Sequence, residues 1–94
     1  MVFERVLMRM REKVRTRQYV MTLHAEEEMN DDDLTIFDVE NCILTGRIVE
    51  RQRDTATTEW KYRIIGNTFY GRRAEVIAKL SITGKLIIIT IYLS

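Results

Sequence analysis

The sequence predicts an α+β fold, with N-terminal helices packed on a small antiparallel sheet of about four to five strands. Apolar side chains recur at helical spacing through most of the first 46 residues. From Arg47 onward the period changes to two, and short turn signals separate the alternating runs. Helices that come first and strands that follow give this class.

The first element is an amphipathic helix. Phe3, Val6, Leu7, Met10 and Val14 form its apolar stripe, arginines fill the gaps, and it ends near Arg15. Residues 17–23 read as a short strand with Tyr19, Met21 and Leu23 on one face, and residues 24–31 as a helix with a thin apolar face. Asp31, Asp32 and Asp33 break that helix, because aspartate favours turns and caps. A stronger helix follows in LTIFDVENCILTG, with Thr35 as its cap, Asp38 completing a capping box, and Gly46 as a left-handed stop.

The strands come next. RIVERQRD is a strand, Thr55 to Thr58 make a polar turn, and EWKYRIIG is a strand with Trp60, Tyr62 and Ile64 on its core face. Residues 66–71 form a loop. In the run from Arg73 to Thr83, Ala74, Val76, Ala78, Leu80 and Ile82 point one way. Arg73, Glu75, Lys79, Ser81 and Thr83 point the other way, joined by Ile77. Thr83-Gly84 makes a tight hairpin into LIIITIYL, a strand buried on both faces or nearly so. With no proline, repeat or linker, the 94 residues are expected to form a single domain: a basic N-terminal helix over 1–16 and an α+β core over 17–94.

The net charge of +1 hides a segregation. Residues 1–18 carry six basic and two acidic side chains, residues 19–46 eight acidic and no basic, and residues 47–94 nine basic and four acidic. Such asymmetry allows a basic face for an anionic partner beside an acidic face that phosphate avoids. No apolar run reaches the ~20 residues a membrane span needs, so no membrane partner is expected. The N-terminus has no apolar signal core and the single Cys42 forms no disulfide within the chain, so a cytoplasmic location is expected. Cys42 itself reads as a small buried hydrophobe.

The lone histidine, His24, stands where a strand enters a helix. It can hydrogen-bond the turn, move a proton, since an imidazole titrates near about 6.5, or bind a metal with Glu27 or Glu28. No second histidine or Cys-x-x-Cys pair accompanies it, so no metal or cofactor is expected. Lys61 and Arg63 share one strand face, and Arg73 and Lys79 another. If the two faces coincide they form a basic strip for phosphate; otherwise these side chains are a solvated sheet surface. Tyr92 is either a core-edge residue or a proton donor at the end of the last strand.

The order of short motifs adds a resemblance. Tyr19-x-Met21-Thr22-x-His24-Ala25 comes first, then Met29, then Leu34-Thr35-x-x-Asp38-Val39-Glu40 and Leu44-x-Gly46-x-Ile48. Tyr62-Arg63-Ile64-x-Gly66 and Ile88-Ile89-Thr90-Ile91-Tyr92 close the series. Residues 17–93 thereby resemble the domain-of-unknown-function family 4258, which looks like a relative of the RelE/ParE and barnase-like nuclease fold. The resemblance implies a toxin-like protein of a toxin–antitoxin type system, with a cognate antitoxin as protein partner and RNA as substrate. Its expected activity is that of a metal-independent endoribonuclease. His24, Arg63 and Tyr92 are then the candidate catalytic residues, and Lys61, Arg73 and Lys79 the candidate phosphate-binding ones. Where the family usually has arginines, this chain has Glu28 and Asp32, and Asp33 replaces a glycine in a left-handed position. Those acids keep a second expectation open: a non-catalytic interaction module, or degenerate toxin fold, that docks a partner or a second copy as a homodimer.

Overall fold

The computed structural model describes residues 3–94. Residues 1 and 2 of the expected first helix lie outside them. Helix α1 (Glu4–Arg15) is followed by strand β1 (Tyr19–Met21), helices α2 (Leu23–Asp31) and α3 (Ile36–Thr45), and strands β2 (Arg47–Arg53), β3 (Trp60–Asn67), β4 (Arg73–Leu80) and β5 (Leu86–Leu93). The α+β class and the helices-first order are as the sequence predicts.

The five strands lie in the order β1-β5-β4-β3-β2. Strands β2 to β5 form the expected antiparallel meander, but β1 runs parallel to β5, pairing Tyr19 with Leu86 and Met21 with Ile88. The sheet is therefore mixed, because helices α2 and α3 intervene between β1 and β2 and free β1 to join the far edge.

The core lies between the helices and one sheet face. Leu7, Met10 and Val14 of α1 and Val39, Cys42 and Ile43 of α3 meet Ile64, Val76, Ala78, Leu86, Ile88 and Ile91. A bulge at Ile77/Ala78, where β4 meets β5, shifts the buried positions of β5 from Leu86 and Ile88 to Ile91. It thereby turns Tyr92 to the opposite face. The outer positions of the sheet carry Glu50, Arg63, Glu75 and Tyr92 in adjacent register.

Three local expectations are corrected. Gly46 is extended, not left-handed (φ −91°, ψ −173°). It is a glycine because a Cβ there would stand 2.5 Å from the Cys42 carbonyl oxygen and 2.6 Å from that of Ile65. The last carbonyls of α3 are met from another helix, with Arg11 donating from Nε to Ile43 O (3.1 Å) and from Nη2 to Gly46 O (2.7 Å). Trp60 does not join the core with Tyr62. The guanidinium carbons of Arg51 and Arg53 lie 4.1 and 4.4 Å from its ring centre, and Tyr62 packs against the core and against Phe3. Ile82 stands exposed at the tip of the β4–β5 turn, where Gly84 takes φ +88°. Asp33 does adopt the left-handed conformation expected of it, at φ 54°.

Candidate functional site

Alternation along β2 to β5 brings four polar side chains into one row. Glu50 is opposite Arg63, and Glu75 is opposite Tyr92, with Arg63 and Glu75 diagonal neighbours across β3 and β4. Arg63 donates from Nη1 to Glu75 Oε1 at 2.6 Å and from Nε to Glu50 Oε1 at 3.2 Å. Tyr92 donates its hydroxyl to the same Glu75 Oε1 at 3.1 Å. The Glu75 side chain is 12% exposed, under the two groups that donate to it. Partial burial and the bond to Glu75 raise the Tyr92 phenol above its ordinary pKa, so it is held as a donor. The bond to Glu75, helped by Glu50, also raises that of the Arg63 guanidinium.

His24 reaches the same end of the sheet from α2. Thr22 caps that helix, accepting from Ala25 N at 3.1 Å and donating its hydroxyl to Ile89 O at 3.0 Å, which fixes the first turn of α2 to β5. One turn on, Glu28 Oε1 lies 3.2 Å from His24 Nε2 and accepts from Ile91 N at 3.3 Å. β1 pairs with β5 only as far as Ile88, so beyond that point Glu28 supplies the acceptor that a strand would. The Glu28 charge also acts on the Tyr92 phenol. His24 remains 65% exposed in its side chain, and among the described residues no hydrogen bond joins it to Arg63 or Tyr92. The fold thus brings Arg63 and Tyr92 together through Glu75, and sets His24 against Glu28, whose charge acts on the Tyr92 phenol.

The two basic strand faces do coincide, but acids interleave with them. Lys79 is almost fully buried and lies 3.1 Å from Glu59 and 3.3 Å from Asp54, tying β4 to the β2–β3 turn. Its hydrogen bond to Glu59 raises its pKa, and the amide of Ala56 lowers that of the Asp54 carboxyl. Lys61, opposite Gln52, and Arg73, at the start of β4, carry no ion pair among the described residues. Arg73 and Arg47 line one polar hollow around Asn67 and Gly66. Among the described residues no group of three or more His, Cys, Asp or Glu side chains could hold a metal ion. None of their helices is long and apolar enough to cross a membrane.

The family described as a domain of unknown function (DUF4258) matches residues 21–93. The chain belongs to the DUF4258 family. No curated protein and no solved structure matches it. The DUF4258 match covers His24, Arg63 and Tyr92, all of α2 and α3, and every strand of the antiparallel meander, and it leaves α1 outside.

Sequence reasoning marked Glu28 as the acid standing where the family usually has an arginine, but missed its bond to β5, and it missed Glu75 in this DUF4258 site. Glu75 reads as one more polar position of an alternating strand, and Glu28 as one of three glutamates favoured by a helix N-terminus. A signal did exist for Glu75. It is the sole acid in β4, among Ala74, Val76, Ile77 and Ala78, where a carboxylate needs a partner from a neighbouring strand.

Proposed function

We propose that this DUF4258 protein is toxin-like and cleaves RNA without a metal ion, using the polar face of β3 to β5 and the first turn of α2. The observation that carries this reading is the shared carboxylate oxygen of Glu75, which accepts from both Arg63 and Tyr92. A phosphodiester lying on this face finds the Arg63 guanidinium for its non-bridging oxygens. Glu75 takes the 2′-hydroxyl proton as the 2′-oxygen attacks phosphorus. The bond from phosphorus to the 5′-oxygen then breaks. Protonated His24 gives its proton to that leaving oxygen, and Tyr92, held as a donor, stabilises the charge on the phosphorane. Lys61 and Arg73, which carry no ion pair among the described residues, hold flanking phosphates. Lys79 is held by Asp54 and Glu59 and is not free to grip phosphate.

A test is cleavage of a mixed-sequence RNA by purified protein with chelator present, comparing the parent with His24→Ala and Tyr92→Phe. The reading expects cleavage by the parent, lowered at least about 100-fold without the imidazole. Equal cleavage by parent and His24→Ala removes His24 from the chemistry. A second reading, the non-catalytic interaction module, is favoured by one specific observation. Arg63 and Lys79 are each already bonded to two carboxylates, so phosphate must compete with internal partners. On that reading none of the proteins cleaves RNA.

A further inference from the structure

We infer that the hollow between the start of α3 and the β3–β4 loop receives a lysine or arginine side chain from a basic segment of a partner protein. The hollow has a volume of about 400 Å³ and is lined by Asp33, Thr35, Phe37, Asp38, Phe69 and Tyr70. Its three aromatic rings are exposed, Phe37 by 55%, Phe69 by 64% and Tyr70 by 88%. Phe69 and Tyr70 stand edge to face, 5.4 Å between ring centres. Exposed aromatics gathered at one place are uncommon on a surface that meets only water.

The loop that holds them is pinned. Asn41 donates from Nδ2 to the carbonyls of Asn67 (2.9 Å) and Thr68 (3.0 Å). The amide of Phe69 donates to Asp38 Oδ1 at 2.9 Å, and Thr68 and Arg72 close the turn through Thr68 N–H to Arg72 O at 2.7 Å. The backbone that carries Phe69 and Tyr70 is therefore held in place, which lowers the ordering cost of binding.

Charge selects the occupant. Asp33 lines the hollow beside the rings, and Arg72 is the one cation among residues 68–72 of the loop. The positive end of α3, which would otherwise attract an anion, is already filled. Asp38 Oδ2 accepts from the amide of Thr35 at 2.8 Å, leaving a buried carboxylate at that terminus. A cation over aromatic faces beside carboxylates is favoured there, whereas RNA bases stacked on the same rings would bring phosphates against the aspartates.

The test is a titration of the full chain, labelled for amide NMR, with hexalysine and separately with hexauridylate. The inference expects hexalysine to shift the amides of Asp33, Phe37, Phe69 and Tyr70. Phe69→Ser/Tyr70→Ser, which alters only exposed positions, then weakens binding at least about fivefold with an unchanged melting temperature. Shifts spread over the acidic face of α2 that survive the double substitution overturn the inference, as do loop shifts produced by hexauridylate in preference to hexalysine, or no shift at all.

Discussion

Arg63 and Glu75 sit diagonally across the central strand pair, joined by a 2.6 Å bond from Nη1 to Oε1. Tyr92 and Glu50 extend this contact into a row that crosses four strands. Removing Arg63 leaves Glu75 with only a neutral donor in a largely covered position, and removing Glu75 leaves Tyr92 without its acceptor. Arg63→Ala and Glu75→Ala should each lower the melting temperature, and the double variant should lose less than the two losses together. A double-mutant cycle by thermal unfolding checks this, and strict additivity would mean that the pair is not coupled.

Gly66 is held to glycine by its neighbours. A Cβ there would stand 2.1 Å from the carbonyl oxygen of Cys42 and 2.9 Å from the Cα of Gly46, where the end of α3 touches β3. Gly66→Ala should therefore cost about 3 kcal/mol or prevent folding, since backbone must move to admit the methyl group. Urea unfolding measures it.

Arg11 joins α1 to the end of α3 by two bonds to carbonyls. Arg11→Ala should cost about 2 kcal/mol, as expected for charged donors to partly buried carbonyls, whereas Arg5→Ala, at a residue with no such bonds among the described residues, should cost well under 1 kcal/mol. Denaturant midpoints of the two variants separate a specific cap from a general loss of positive charge.

Stability should fall in alkali. Burial pushes the Cys42 thiol from 9.0 to about 12, and burial with the Glu40 bond pushes the Tyr19 phenol from 10.0 to about 12. Above pH ~9 the unfolded chain releases these protons while the folded chain keeps them, so it binds fewer protons than the native state and stability declines as pH rises. The decline reaches at most about 1.4 kcal/mol per pH unit for each group and ends near the folded values. Cys42→Ala should flatten its onset and Tyr19→Phe its upper part, read from urea midpoints between pH 8 and 11.

Much of the fold was legible because its signals are local. The α1 stripe, the Thr35/Asp38 cap, the left-handed Asp33 and the change of period at Arg47 each lie within a few residues. What escaped depends on contacts distant in sequence. β1 joins β5 across 67 residues, in a parallel pairing that no short pattern encodes. Gly46 marks the end of α3, as expected, but for close approach and not for its φ, and Arg11 supplies the acceptors' partner from 32 and 35 residues away. At the site, the types at His24, Arg63, Tyr92 and Glu28 could be read, whereas the contacts that Glu75 and Glu28 make with them could not. A glutamate on an alternating strand looks the same whether it meets water or a guanidinium.

The most direct measurement is the chemistry of the RNA ends left by the parent protein in the presence of chelator. Attack by the 2′-oxygen, assisted by Glu75 and His24, predicts cleavage without metal, 2′,3′-cyclic phosphate on one fragment and a 5′-hydroxyl on the other. Intact RNA, or cleavage that appears only when a divalent metal is supplied, would contradict it.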